Sequence, residues 1–165
     1  MKRSDTHVFD APIERVWAMM CDIDAHVAKA ERAGHRDIEV LDHTVADDHA
    51  HVELKRTVTV ELPGFAKRVM EPTQRVRTID DWYRREDGTC DGTFGTDVRG
   101  APFSLKGTTS LEADGADRTR YRVDIEVQIK VPVVGKRLEK WAVGDVDEQI
   151  ANEFAAGDEW LAANA

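Results

Sequence analysis

The sequence predicts an α+β protein: an antiparallel sheet of about six to seven strands covered by one long C-terminal helix, with two short helices after the first strand. Three observations carry this. Apolar residues recur at every second position through most of the middle of the chain; the alternation is broken by short turn-forming stretches; and from Val134 onward the period changes to that of a helix for about thirty residues. A sheet with one apolar face has to cover it, and only the last helix is long enough to do so.

The elements follow in order. Lys2 to Asp10 has strand character and ends in Asp-Ala-Pro, where Asp10 is placed to cap a helix and Pro12 to sit in its first turn. That helix is predicted from Ala11 to Cys21, with Ile13, Val16, Trp17 and Met20 on one side and Trp17 as a core anchor. A second short helix is expected from Asp24 to Ala33, stopped by Gly34. The period then becomes two, with Ile38 and Val40, then Val52, Leu54, Val58 and Val60, around the turn VADDHA. Pro63 to Pro72 interrupts the alternation and reads as a loop with one helical turn, placed to act as a lid. Further strands are expected at Thr73–Arg85, Thr89–Arg99, Phe103–Ala113 and Thr119–Val131, separated by EDGT, RGAP and EADGAD. In the last of them Tyr121, Val123, Ile125, Val127, Ile129 and Val131 alternate with polar residues, as in a sheet with one wet face. Pro132 ends that strand and Gly135 is expected to let the chain fold back, so that the helix from Val134 to Ala163 lies across the sheet.

Composition bounds the function. The 165 residues fit a single domain spanning 1–165, and 23 Lys plus Arg against 32 Asp plus Glu give a net charge of -9. Such a chain repels nucleic acid and anionic membrane surfaces, so neither is expected as a partner. No stretch approaches an integral membrane segment, and no apolar stretch follows the basic start as in an export signal. Cys21 and Cys90 form neither a metal knuckle nor a disulfide framework, which points to a reduced, cytoplasmic setting.

The order of elements resembles the helix-grip fold of the START and polyketide-cyclase-like (SRPBCC) superfamily over essentially the whole chain. FDAPIERVWAMM, Phe9 to Met20, is similar to that superfamily's entry into its first helix. VPVVGKRLEK, Val131 to Lys140, with EFAAGDEWL, Glu153 to Leu161, is similar to a mainly actinobacterial family of unknown function within it. That family often has two glycines where this chain has Gly135-Lys136. The resemblance implies a curved sheet wrapped around the long helix and an apolar cavity between them. It implies no particular substrate.

Within that frame Arg56 is the anomaly, because it falls on the face of its strand otherwise given to Val52, Leu54, Val58 and Val60. A buried guanidinium calls for an acidic partner or a ligand. Leu138, Ala142, Val146, Ile150, Phe154, Gly157 and Leu161 mark the inward stripe of the last helix, and Glu153 falls inside it. Arg56 with Glu153 is therefore the leading polar pair and Asp80 the second candidate partner; a strand bend or a side chain snorkelling to solvent remains the alternative for Arg56. Trp82, Phe94, Val98, Phe103, Leu105, Trp141, Ile150 and Phe154 are candidate walls, as core packing or ligand contact, and Gly95, Gly107 and Gly157 candidate spacers. His49 and His51 in DDHAH point the same way on a strand, but with no third ligand spaced to join them the stretch reads as a solvated hairpin end, and no metal or cofactor is expected. No nucleophile elbow, phosphate loop or Cys/His catalytic signature occurs. The preferred expectation is binding of a hydrophobic or amphipathic small molecule, a lipid or polyketide-like compound. A cofactor-free cyclase, dehydratase or hydrolase using the same cavity, and an interaction domain with a side-chain-filled core, stand as alternatives.

Overall fold

The computed structural model describes residues 1–165. Strand β1 (Lys2–Phe9) leads into helices α1 (Ile13–Cys21) and α2 (Ile23–Arg32). Strands β2 (Arg36–Val45), β3 (His49–Thr59), β4 (Thr73–Arg84), β5 (Cys90–Asp97), β6 (Phe103–Ala113) and β7 (Thr119–Ile129) follow, and helix α3 (Gly135–Ala163) closes the chain. All neighbouring strands are antiparallel in the order β1-β7-β6-β5-β4-β3-β2. The meander from β2 to β7 is thus extended by β1 at its far edge, in a seven-stranded curved sheet that grips α3.

Each predicted element is present, with boundaries shifted where caps differ from expectation. Helix α1 begins at Ile13, with Pro12 as its N-cap and no side-chain cap, so Asp10 does not cap it. Proline suits this place because its extended backbone enters the helix without a missing donor being felt. The next cap is a side chain: Asp22 accepts from the Asp24 backbone N–H at 2.9 Å and starts α2. Gly34, at φ 79°, ends α2 as expected.

The predicted stripe of α3 is the buried stripe: Leu138, Ala142, Val146, Ile150, Phe154, Gly157 and Leu161 all lose their exposure. They meet the alternate residues of β7, which are buried at Tyr121, Val123, Ile125, Val127 and Ile129. No helix is long and apolar enough to cross a membrane.

The turn into α3 works differently from expectation. The left-handed residue is Val133, at φ 69°, while Gly135 is needed because an added Cβ would stand 2.7 Å from the Ile129 carbonyl oxygen. A β-branched residue is strained there, by about 1–2 kcal/mol. Val133 is fully exposed, so a smaller side chain loses no packing. Val133→Gly is expected to stabilise the protein by about 1 kcal/mol, once the greater freedom of an unfolded glycine offsets part of the relief; the denaturant midpoint measures it.

The loop from Pro63 to Pro72 does carry helical turns, with Met70 N–H bonded to the Ala66 carbonyl at 2.9 Å. It is pinned down by buried Leu62 and Ala66, and the Arg137 guanidinium of α3 lies 3.9 Å above the Phe65 ring.

Candidate functional site

A hollow of about 160 Å³ lies between the sheet, α2 and the middle of α3, with a second one of about 110 Å³ beside it. The two share Arg56, His35, Thr96, Leu105, Val146 and Gln149 in their walls and form two neighbouring lobes with Arg56 between them. The first lobe is the more polar and receives Lys29, Asp80, Tyr121 and Glu153. The second is apolar, walled by residues such as Val58, Val76, Val98 and Phe103, and its rim includes Met70 and Pro72 of the pinned loop.

The strand alternation explains how Arg56 comes to be inside. The β3–β4 register runs without a bulge, so Arg56 stays in phase with Val52 and Leu54, and Thr78, Asp80 and Trp82 stay in phase with Val76. The Arg56 Nη1–H donates to Thr78 Oγ1 at 2.8 Å, while its Nε finds no partner. Burial pulls the guanidinium below its ordinary range, and Asp80 and Glu153 pull it back up. An arginine remains charged through such a shift.

The expected direct pair of Arg56 and Glu153 does not form. Glu153 Oε1 lies 3.1 Å from Lys29 Nζ and accepts from the Tyr121 hydroxyl at 3.1 Å. The reason is placement: α2 packs beside α3 and delivers an ammonium to this carboxylate first, leaving Arg56 to act on it only through space. Burial lifts the Glu153 carboxyl, but Lys29, the Tyr121 hydroxyl and His26 together outweigh it and leave it below the usual value. Lys29 is shifted up, burial opposing and the Glu153 and Asp80 charges prevailing. Tyr121 is held well above its normal value by burial and by Glu153. At neutral pH the lobe therefore holds two cations, Arg56 and Lys29, with the Glu153 carboxylate, and Asp80 lines the same wall.

Two histidines join this wall. His26, almost fully buried, donates from Nε2 to the Met20 carbonyl at 2.8 Å, and burial followed by the Lys29 charge pushes it down. His35 is pushed down to about 4 by burial and then by Arg56, and its Nδ1 is buried without a partner. Both rings are neutral at pH 7. Because their folded values lie below the unfolded one, the unfolded chain binds more protons in acid; for His35 the stability is complete above about pH 6.5 and is lost as pH falls toward 4, and His26 acts in the same direction. The two values alone would give about 2 kcal/mol between pH 7 and 5; because His35 is only half-buried, a share of about 1 kcal/mol is expected, read as a smaller fall of the melting temperature over that range in His35→Gln than in wild type.

The remaining predicted residues divide. Trp82, Phe94 and Ile150 line the polar lobe, Val98, Phe103 and Trp141 the apolar one, and Leu105 both. Phe154 lines neither lobe. One helical step beyond Glu153 it turns toward β1, stacking on the His7 ring at 4.8 Å and meeting the Tyr121 ring edge-on at 5.7 Å. Among the glycines only Gly95 stands beside open space in the polar lobe. Gly107 instead admits the Phe94 ring, and Gly157 the Phe9 ring, whose Cε1 would be 2.6 Å from an added Cβ.

Sequence reasoning missed Lys29, His26, His35, Thr109 and the Tyr121 hydroxyl. The signal for two of them was present: Ala25, His26, Lys29 and Ala30 share one face of a short helix whose small residues are buried. Tyr121 read as one more apolar position of its strand, though a buried tyrosine hydroxyl needs a partner.

The comparisons agree with this architecture. The crystal structure of TTHA0849 from Thermus thermophilus superposes with a TM-score of 0.68 at 16% identity, covering 100% of this chain and 99% of the other. The Zhui aromatase/cyclase from Streptomyces sp. R1128 gives 0.64 at 11% identity over 98% and 93%. A START superfamily protein from Mycobacterium smegmatis gives 0.58 at 17% identity over 99% of each chain. At these identities the likeness is one of fold, the helix-grip fold of START-like and polyketide-cyclase-like proteins. No curated protein sequence matches the chain. The model of one family, described as "Protein of unknown function (DUF2505)", matches residues 4–161, nearly the whole length, and the chain belongs to that family.

Proposed function

We propose that the protein binds a small amphipathic molecule, lipid-like or polyketide-like, with its hydrogen-bond acceptor at Arg56 and its apolar part in the second lobe. The observation that carries this reading is a set of three buried polar atoms without partners, Arg56 Nε, His35 Nδ1 and Thr109 Oγ1, all on residues that line the polar lobe. Buried groups of this kind are rare because each costs about 1–3 kcal/mol when left unpaired. Arg56 Nε–H can only donate, so what satisfies it is an acceptor: a carboxylate, a phenolate or a carbonyl. The lobes, at about 160 and 110 Å³, fall below the roughly 300–1,000 Å³ usual for ligand sites, which favours a compact molecule.

The catalytic alternative calls for a carboxyl titrating well above its ordinary range to act as an acid near neutrality. Glu153 is shifted the other way and is already bonded twice. That supports a binding role over acid catalysis by this residue.

Decanoate and 1-decanol, equal in chain length and different in head group, test the reading by calorimetric titration. Saturable binding of decanoate, about tenfold or more tighter than that of the alcohol and weakened in Arg56→Leu, is the expected result. No binding of either, or equal binding in wild type and variant, would overturn the proposal.

A further inference from the structure

On the opposite face of the sheet, turned away from α3, β2, β3 and β4 bring together side chains that are far apart in sequence. His51 and Glu53 stand two residues apart on one side of β3, and Asp42 is the cross-strand neighbour of Glu53. The register of β2 shifts between Val40 and Asp42, and an irregularity of this kind re-aims the side chains beyond it. His51 Nε2 is 3.0 Å from Glu53 Oε1 and 3.9 Å from Asp42 Oδ2, and one ligand atom from each residue lies within 4.8 Å of the others. Two carboxylates placed opposite one another on a sheet repel unless a cation lies between them.

Each of the three is held by its other end. His51 Nδ1 lies 2.7 Å from Asp81 Oδ1; a carboxylate only accepts, so Nδ1 carries the proton and Nε2 faces the two acids. Glu53 Oε2 takes the Arg77 Nε–H at 3.0 Å and Nη2–H at 2.6 Å, which leaves Oε1 turned to His51. Asp42 Oδ1 accepts from the Thr44 hydroxyl at 3.0 Å, which leaves Oδ2. An imidazole oriented by a carboxylate through its far nitrogen is the arrangement that holds metal-binding histidines in place. The side chains of Glu53 and His51 are only 16% and 21% exposed, whereas Asp42 is 51% exposed and leaves an approach from solvent.

We propose that this face carries a divalent transition-metal site of the zinc type, ligated by His51 Nε2, Glu53 Oε1 and Asp42 Oδ2, with Asp81 and Arg77 as positioning residues. One imidazole and two carboxylates suit zinc, and three protein ligands leave a fourth position for water. In the metal-free protein the Nε2 proton, donated to Glu53, occupies the place of the ion. The linear spacing of DDHAH shows no third ligand because the remaining ones come from β2 and from farther along β3. The bound ion would also clip the edge strand β2 to β3.

Calorimetric titration of the full chain with zinc chloride near neutral pH tests the proposal. Wild type is expected to bind one equivalent saturably, with a rise in melting temperature, and the surface variant Asp42→Asn to bind at least about tenfold more weakly. Asp81→Asn is expected to lose about 10–100-fold with its ligands intact, and His43→Gln, on the same β2 strand but bonded to the Cys21 carbonyl, to bind as wild type does. Absence of saturable binding up to about 1 mM zinc would reduce the cluster to a hydrogen-bonded network and overturn the proposal, as would wild-type affinity in both Asp42→Asn and His51→Gln.

Discussion

Arg56→Leu is expected to abolish ligand retention while leaving the protein about as stable as wild type. The guanidinium has one hydrogen bond, to Thr78, and a buried Nε with none, so its removal from the ligand-free protein gives up little and relieves a desolvated charge. Leucine continues the apolar run of Leu54 and Val58 on the same strand face. Relief of the desolvated guanidinium is offset by the favourable charge that Asp80 and Glu153 lose, so the net change is expected to stay within about 1 kcal/mol. Ligand affinity is expected to fall about 100-fold, the value of a charge-assisted bond of about 3 kcal/mol. Denaturant titration and decanoate binding on the same preparation read the two effects. A residue kept for stability alone would show the opposite: loss of stability and no change in binding.

The second large effect is expected at the Lys29–Glu153 pair. Glu153→Gln keeps an acceptor for Tyr121 but leaves the ammonium of Lys29 in the wall with only Asp80 to offset it. Removing one member of a buried pair costs about 3–5 kcal/mol; here the Lys29 and Glu153 side chains retain 32% and 37% of their surface, so about 2 kcal/mol is expected. Lys29→Met is expected to cost a similar amount. The double variant Lys29→Met, Glu153→Gln is expected to cost much less than the two together, because no charge is left unpaired between them. The sign with pH follows from the directions of the shifts. The Glu153 contribution is complete above its unfolded value and fades as pH falls through the lowered folded one, while that of Lys29 is complete below its unfolded value and fades as pH rises through the raised one. Urea unfolding of the four proteins completes the cycle, and additive losses would mean that the pair is not coupled.

How far the sequence carried the reading depends on the range of the interaction. Period-two patterning placed β3, β4 and β7, and a stripe of seven positions placed α3 against the sheet, because burial on one face writes itself directly into alternation and helical spacing; β2 is exposed along nearly its whole length, and its Val40 does not face the core. Arg56 stood out for the same reason, as a charge in an apolar phase. What that phase does not encode is which of several charges arrives first. Lys29 lies 124 positions from Glu153 and reaches it only because α2 docks on α3. Phe154 shows the limit at single-residue scale: it belongs to the buried stripe, yet one step of rotation separates it from Glu153 and sends it into the aromatic cluster around Tyr121. The turn before α3 shows another, since the glycine expected to supply the left-handed residue is required for close approach and a valine takes the strain. The outer cluster of Asp42, His51 and Glu53 was hidden because it assembles across a shift in register.

Native mass spectrometry of freshly purified wild-type protein and Arg56→Leu, followed by organic extraction and identification of what is released, tests the central claim most directly. The expected result is a small amphiphile bound one to one in wild type, bearing an oxygen acceptor at one end, and absent from the variant. A ligand retained equally by both proteins would contradict the anchoring role of Arg56, and a wild type that carries no molecule and takes up none from a mixture of amphiphiles would contradict the binding function itself.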